Sequence, residues 1–431
     1  MTIKDSNEIK EYINDVCSQV KNKRVHNEIK DELSAHLEEK ANEYIKSGEK
    51  EENALKKAIN EMGSSKHVGS ELNKLHKSKP EWSVIALSVG LILLSTVIIN
   101  IFEKNFGVSN NHISKNTIMF NILSIIILSL ACFIDYRKIK KCSKYIYVVG
   151  LFALVYTGFS GIPAYNGVKQ WIQIGGLTIN IGYFAPIIII IALAGIYDKY
   201  DWADKRKTII GLFLGLLPLI LLVRTNSLFS FIIYGISLIV LLYSFKVSKK
   251  ILGLFASVEA LLIILSRIGF ETNLNFMDIS NNINGYGDIN NKLNIIRDSS
   301  VLIGRANNFD INIIPDFYTD YILSYIIYNF GWIVGVIVIT LIGVLIIRMI
   351  KVAISVKNTY AKSLVFGVVS IIIIQFIGNI LMTFGVTISA SALMPLPFVS
   401  YGGTATIINM FIVGIIINVY KGKSISKIEN I

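Results

Sequence analysis

The chain has 431 residues, of which 53% are hydrophobic and 17% charged, with mean hydropathy +0.56, more apolar matter than a water-soluble fold can keep off its surface. Soluble enzymes and secreted disulfide scaffolds are excluded, and a membrane protein is implied. The formal net charge of +12 sits in short Lys and Arg clusters beside apolar spans, where it sets membrane orientation, so no nucleic acid partner is implied.

Residues 1–82 carry about 15 basic and about 16 acidic side chains. Their apolar positions Ile9, Tyr12, Ile13 and Val16, then Ile29, Leu33, Leu37 and Tyr44, recur at helical spacing. The segment reads as a small cytoplasmic helical domain, with no apolar core of signal-peptide type. Its stretch 25–39, followed by 54–58 and Met62-Gly63, resembles the permease-prefix helical domain found ahead of assorted membrane proteins. His26 and His36, ten residues apart on a charged helical surface, read as solvated histidines rather than ligands. Cys17, Cys132 and Cys142 form no CxxC and have no histidine at metal-ligand spacing, so neither a disulfide framework nor a zinc site is implied. No cofactor is evident, and dependence on a divalent cation is left open.

Residues 83–420 contain ten apolar stretches, near 83–102, 117–134, 145–161, 183–197, 208–223, 228–245, 251–270, 321–347, 364–386 and 403–420, each about long enough for a hydrocarbon core of roughly 30 Å. The expectation is an all-α, polytopic membrane protein of about ten transmembrane helices behind the small cytoplasmic helical domain, with 421–431 a cytoplasmic tail. If residues 1–82 are inside, the inside segments hold about 19 Lys and Arg and the outside segments about seven. That asymmetry puts both termini in the cytoplasm and the long loop 271–320 outside. Polar chemistry gathers on the outer side, in 161–182, 271–320 and 387–402. No convincing internal repeat of transporter type is present.

Two stretches carry candidate chemistry. In Pro315-Asp316-Phe317-Tyr318-Thr319-Asp320, a proline ends the loop and a carboxylate opens the eighth span. Asp320 near a helix N-terminus reads either as a general base, its ionised form favoured by the dipole and its pKa raised by a partly dry site, or as one of three candidate caps with Asp316 and Thr319. In 395–404, two prolines prevent regular helix and two glycines allow close backbone approach, with Ser400 and Tyr401 as polar groups. This is either irregular backbone beside a wet cavity or an ordinary outer loop. Glu259, inside the seventh span, is a charge at membrane depth with Arg267 two turns away. It marks either a lumen or a pair that fixes helix packing.

These residues resemble the SEDS family (shape, elongation, division and sporulation). Residues 395–403 resemble its PLPF-SYGG signature, Asn166-Gly167 with Trp171-Ile172 its NGxxRWI loop, and Pro315 through Asp320 its LPExHTD loop. Gly304-Arg305 resembles its GxG element, Gly331 the glycine after the eighth helix begins, and Gln375 with Asn379 the polar pair of the ninth. The resemblance covers nearly all of 83–420. It implies a peptidoglycan glycosyltransferase that polymerises the undecaprenyl-pyrophosphate-linked disaccharide lipid II at the outer face, usually with a class B penicillin-binding protein. Asp320 then falls on the catalytic aspartate, and an inverting transfer needs such a base to take the acceptor hydroxyl's proton. Substrate-binding positions would be Lys169, Trp171 and Arg305, the two cations near diphosphate, with Ser400 and Tyr401 shaping the cavity. Arg297 is a further outer cation, and at least one of the three reads as a solvated surface charge.

The chain also departs from the pattern. Where the family reads QPSE and then a lysine, this sequence has Asn180-Ile181-Gly182-Tyr183 and then Pro186, so a carboxylate and a cation are gone. Tyr318 replaces a histidine, Gln170 an arginine, and Tyr328-Asn329 a glutamate pair. A carboxylate that loses its partner charge has its pKa raised or finds another cation, among them Lys169, Arg267 and Arg305. The leading expectation is a lipid II polymerase with Asp320 as general base. The second is a non-catalytic scaffold or regulator of cell-wall synthesis that keeps the fold, and the third a lipid II flippase.

Overall fold

The computed structural model describes residues 6–75, 81–106, 113–163, 168–175, 177–273, 289–306, 314, 317–386 and 393–422. The chain divides into two compact units, Met1–Glu81 with Tyr420–Ile431, and Trp82–Val419.

The first unit contains α1 (Asn7–Gln19), α2 (His26–Lys46), α3 (Glu51–Met62) and α4 (Ser65–Leu75). Ser6 starts α1 by accepting a hydrogen bond from the Ile9 amide at 3.3 Å. Ile9, Ile13 and Val16 then fall on one face and meet Val20, Val25, Ile29, Leu33, Leu37, Leu55 and Ala58 in a single core. Side chains tie the surface. Lys40 and the Tyr44 hydroxyl both donate to the Glu61 carboxylate, at 2.5 and 2.9 Å, and these bonds hold the Glu61 carboxyl below its ordinary pKa. His36 is exposed. His26 is not simply solvated, because a ring nitrogen donates to the Val20 carbonyl at 2.8 Å and closes the α1–α2 turn.

In the second unit each of the ten apolar stretches is helical. They form α5 (Trp82–Phe106), α6 (Ile113–Phe133), α7 (Tyr136–Ser160), α8 (Ile181–Tyr197), α9 (Lys205–Thr225), α10 (Leu228–Ser244), α11 (Lys249–Asn273), α13 (Ile322–Phe330) with α14 (Trp332–Ser355), α15 (Thr359–Thr383) and α16 (Gly403–Lys421). A short helix α12 covers 289–299. The eighth stretch, expected as one span, is two helices broken at Gly331 (φ 92°, ψ 168°). Among the described residues, seven helices are long and apolar enough to cross a membrane: α5, α6, α7, α9, α14, α15 and α16. The 17-residue α8 and α10 are apolar, with 13 and 11 of their residues buried, which places most of each inside the bundle. The outer helices turn apolar faces outward, as α6 does with Ile118, Met119, Ile122, Ile126 and Leu130. The protein is a polytopic all-α membrane protein.

One element was not expected. The segment after α7 forms a small antiparallel sheet of β1 (Ile162–Pro163), β2 (Lys169–Ile174) and β3 (Leu177–Asn180), in that order. Trp171 pairs with Asn180 and Ile172 with Ile179. The sheet ends in a cap, since the Asn180 side chain accepts from the Tyr183 amide at 2.9 Å and so begins α8.

The bundle has two poles. At one, the ends of α5, α7 and α15 meet the starts of α8, α10, α13 and α16. At the other, the Asn418 amide donates to the Cys132 carbonyl at 3.0 Å and accepts from the Tyr136 amide at 3.2 Å, tying α16 to the α6–α7 corner. Lys140 and Asp198 form an ion pair there.

Candidate functional site

The first pole collects the sequence-predicted residues. Asp320 lies in the turn 317–321 and is half-buried. The N-cap of α13 falls on Tyr321, so Asp320 sits one residue outside the capping position. Thr319 Oγ1 donates to Asp320 Oδ2 at 3.4 Å. Asp316 and Pro315 lie outside the described residues, as do Asn166 and Gly167 and the side chain of Arg267.

The 395–403 segment packs against this turn. Leu396 and Pro397 open a tight bend closed by the Val399 amide donating to the Leu396 carbonyl at 3.3 Å. Phe398 occupies its third position with φ +66°, a left-handed conformation that costs a non-glycine residue about 1–3 kcal/mol. The residue is 2% exposed, so core packing holds the strain. Buried Ser400 accepts from the Leu396 amide at 2.7 Å, and Ser95 of α5 donates to the Val399 carbonyl at 2.6 Å. The Tyr401 amide donates to the Tyr318 carbonyl at 3.1 Å, and the two rings meet edge to face at 5.4 Å. The Phe102 ring also packs on Tyr318, at 5.3 Å between centres. Ser400 and Tyr401 also line a small polar pocket with Ser95, Thr117, Asn121 and Thr406.

The hairpin approaches the same pole. The Asn180 amide reaches Thr404 Oγ1 at 3.5 Å, and Ser227 at the start of α10 donates to Gln170 Oε1 at 3.0 Å. Lys169 and Trp171 ride on β2, each half-buried.

Arg305 is held elsewhere. A break in a membrane helix strands carbonyls on one half and amides on the other, and segment 301–306 closes both. The amides of Gly304 and Ala306 donate to the Phe330 and Tyr328 carbonyls at 3.2 and 2.9 Å, while those of Trp332 and Ile333 donate to Val301 and Leu302 at 3.0 and 3.2 Å. Arg305 rides on this clip with its guanidinium 6.0 Å from the Tyr328 ring centre. Tyr328 lies about 10 Å along α13 from its N-cap, so the fold places Arg305 at the opposite end of that helix from Asp320. Arg297 is a surface cation, bonded to Asp298 at 3.0 Å and to the Phe384 carbonyl at 3.3 Å.

The positions expected to hold a glutamate and a lysine are neutral and packed. Tyr183 is buried, stacks on Phe229 at 5.7 Å, donates to Asn409 at 3.0 Å and accepts from Gln375 at 2.6 Å. Pro186 is buried within α8.

The structure adds Met394, Ser95 and Asn121 to the site and brings in Asn379, which the sequence offered as one of the polar pair resembling the family's. Glu259 stands apart, 8% exposed and seated against Gly235 of α10, where a β-carbon would lie 2.4 Å from its Oε1.

Comparison with known proteins places the whole membrane unit. The chain is 24% identical over 366 residues to a probable peptidoglycan glycosyltransferase FtsW of Coxiella burnetii, covering 78% of this chain and 95% of that protein. It is 24% identical over 362 residues to stage V sporulation protein E of Bacillus subtilis, covering 78% and 94%. Among solved structures, a chain of a peptidoglycan synthase complex superposes with TM-score 0.65 at 17% identity, covering 80% of this chain and 98% of that one. The rod shape determining protein RodA of Thermus thermophilus gives 0.59 at 17%, covering 80% and 97%. With the family model of the FtsW, RodA and SpoVE cell cycle proteins matching residues 80–425, the chain belongs to that SEDS family.

Proposed function

We propose that the protein is a peptidoglycan glycosyltransferase that polymerises lipid II, with Asp320 as the base that takes the proton from the acceptor sugar hydroxyl as it attacks the donor's anomeric carbon. The pyrophosphate on that carbon is already a good leaving group, so one carboxylate suffices. The observation that carries this reading is a half-buried carboxylate one residue outside the α13 cap, backed by the 395–403 segment at a pole where helix ends converge. Membership in a family whose relatives are named glycosyltransferases supports it. Lys169, Trp171 and Arg305 bind substrate in this reading, and Ser400 and Tyr401 shape its cavity. The site faces outward, both termini and the domain 1–82 are cytoplasmic, 83–420 is the membrane domain with 421–431 its tail, and a class B penicillin-binding protein is the partner.

Purified protein given labelled lipid II and a candidate partner should produce glycan ladders, and Asp320→Asn should slow them about 10²–10⁴-fold. An unchanged rate in that variant removes Asp320 from the mechanism. A second reading, a non-catalytic scaffold or regulator that retains lipid II binding, is favoured by the neutral Tyr183 and Pro186 where a charged pair was expected. Lipid II binding without polymer, whichever partner is added, would establish it.

A further inference from the structure

Two segments build the site pole, 317–321 and 394–402, separated by all of α14 and α15. One side chain joins them below the surface. Asn379 of α15 is fully buried, and its Nδ2 donates to the Asp320 carbonyl at 2.7 Å and to the Met394 carbonyl at 2.7 Å. Two carbonyl oxygens facing one group demand a donor with two hydrogens, which an amide nitrogen supplies and a carboxylate does not. The Oδ1 of the same amide is buried with no hydrogen-bond partner among the described residues, so the side chain is held by its donor side. Packing accompanies the junction: the Met394 side chain lies directly against Gly378, which precedes Asn379. The second tie between the segments, from the Tyr401 amide to the Tyr318 carbonyl, lies two residues from Asp320.

We propose that Asn379 is a positioning residue that fixes the Asp320 turn to the 394–402 segment, setting where the carboxylate points; its catalytic consequence rests on the reading of Asp320 as the base. It touches no substrate. It acts through the Asp320 backbone, and a shift of about 1 Å in a reacting group costs about a hundredfold in rate.

The test compares Asn379→Asp and Asn379→Leu with Asn418→Leu, which removes an equally buried bridging amide at the opposite pole. Full-length proteins are assayed for lipid II polymerisation with the penicillin-binding partner, for lipid II affinity, for thermal stability and for hydrogen exchange at the Tyr401 amide. Both Asn379 variants should lose about a hundredfold in kcat with KM nearly unchanged, and the Tyr401 amide should exchange faster. Asn418→Leu should lose stability while keeping kcat and Tyr401 protection. Wild-type kcat in Asn379→Asp, or an equal kcat loss in Asn418→Leu, overturns the proposal. Where the wild type itself makes no polymer the glycosyltransferase reading fails, and the exchange measurement still decides the clamp: unaltered Tyr401 protection in the Asn379 variants overturns it.

Discussion

The two poles of the membrane bundle close their helices by different means. At the pole away from the site, Asp135 caps α7, Asp204 caps α9 and Asn358 caps α15, each accepting from a first-turn amide at 2.9–3.0 Å, and Asn418 braces the corner. At the site pole α8 and α10 are capped in the same way, by Asn180 and Ser227. The helices beside Asp320 are not. Neither α13 nor α14 has a side-chain cap, and their broken ends are satisfied by the backbone of 301–306, while Phe398 sits in a strained conformation nearby. Regular closure serves stability. Closure by distant backbone leaves the ends of α13 and α14 without side-chain caps, and half-buried Asp320, one residue outside the α13 N-cap, is not used as one.

The sharpest way to break this contrast is Gly331→Ala. Gly331 has φ +92°, and a β-carbon would lie 2.5 Å from the Leu302 carbonyl oxygen, so strain and overlap should together cost about 3–5 kcal/mol. Thermal unfolding of the purified protein measures it, and a variant as stable as wild type would show that the clip is not anchored there. Asn358→Ala at the regular pole should cost only about 1 kcal/mol, the usual worth of a cap, and the same melts compare the two directly. The smallest effect belongs to the N-terminal unit, whose surface is tied by side chains. Glu61 has its folded pKa lowered by Lys40 and Tyr44, so its contribution is present above the unfolded carboxylate pKa and is lost as pH falls through the folded value. The difference in α3 amide exchange between wild type and Glu61→Gln should therefore be steady near neutral pH and vanish in acid.

Much of this was legible in the chain. The ten apolar stretches, the Asp320 turn and 395–403 stand out because hydrophobic run length, proline and a carboxylate at the start of an apolar span are local signals. The rest depends on partners far apart. The break at Gly331 sits inside an apolar run, and its orphaned backbone groups are met by the amides and carbonyls of the distant segment 301–306. The sheet at 162–180 has strands of two to six residues, too short to show against flanking helices. Asn379 was visible only as one of a polar pair resembling the family's, and its two carbonyl partners come from loops on either side of it in sequence. His26 was misjudged because its acceptor, the Val20 carbonyl, belongs to a turn rather than to its own helix.

The clip at 301–306 has a consequence for how this surface can change. It mends the broken helix with main-chain groups, which every residue except proline supplies, so the side chains of Leu302 and Ile303, 72% and 74% exposed, are irrelevant to the repair. Evolution or design can rewrite these two positions to suit a neighbouring molecule while the helix behind them stays whole.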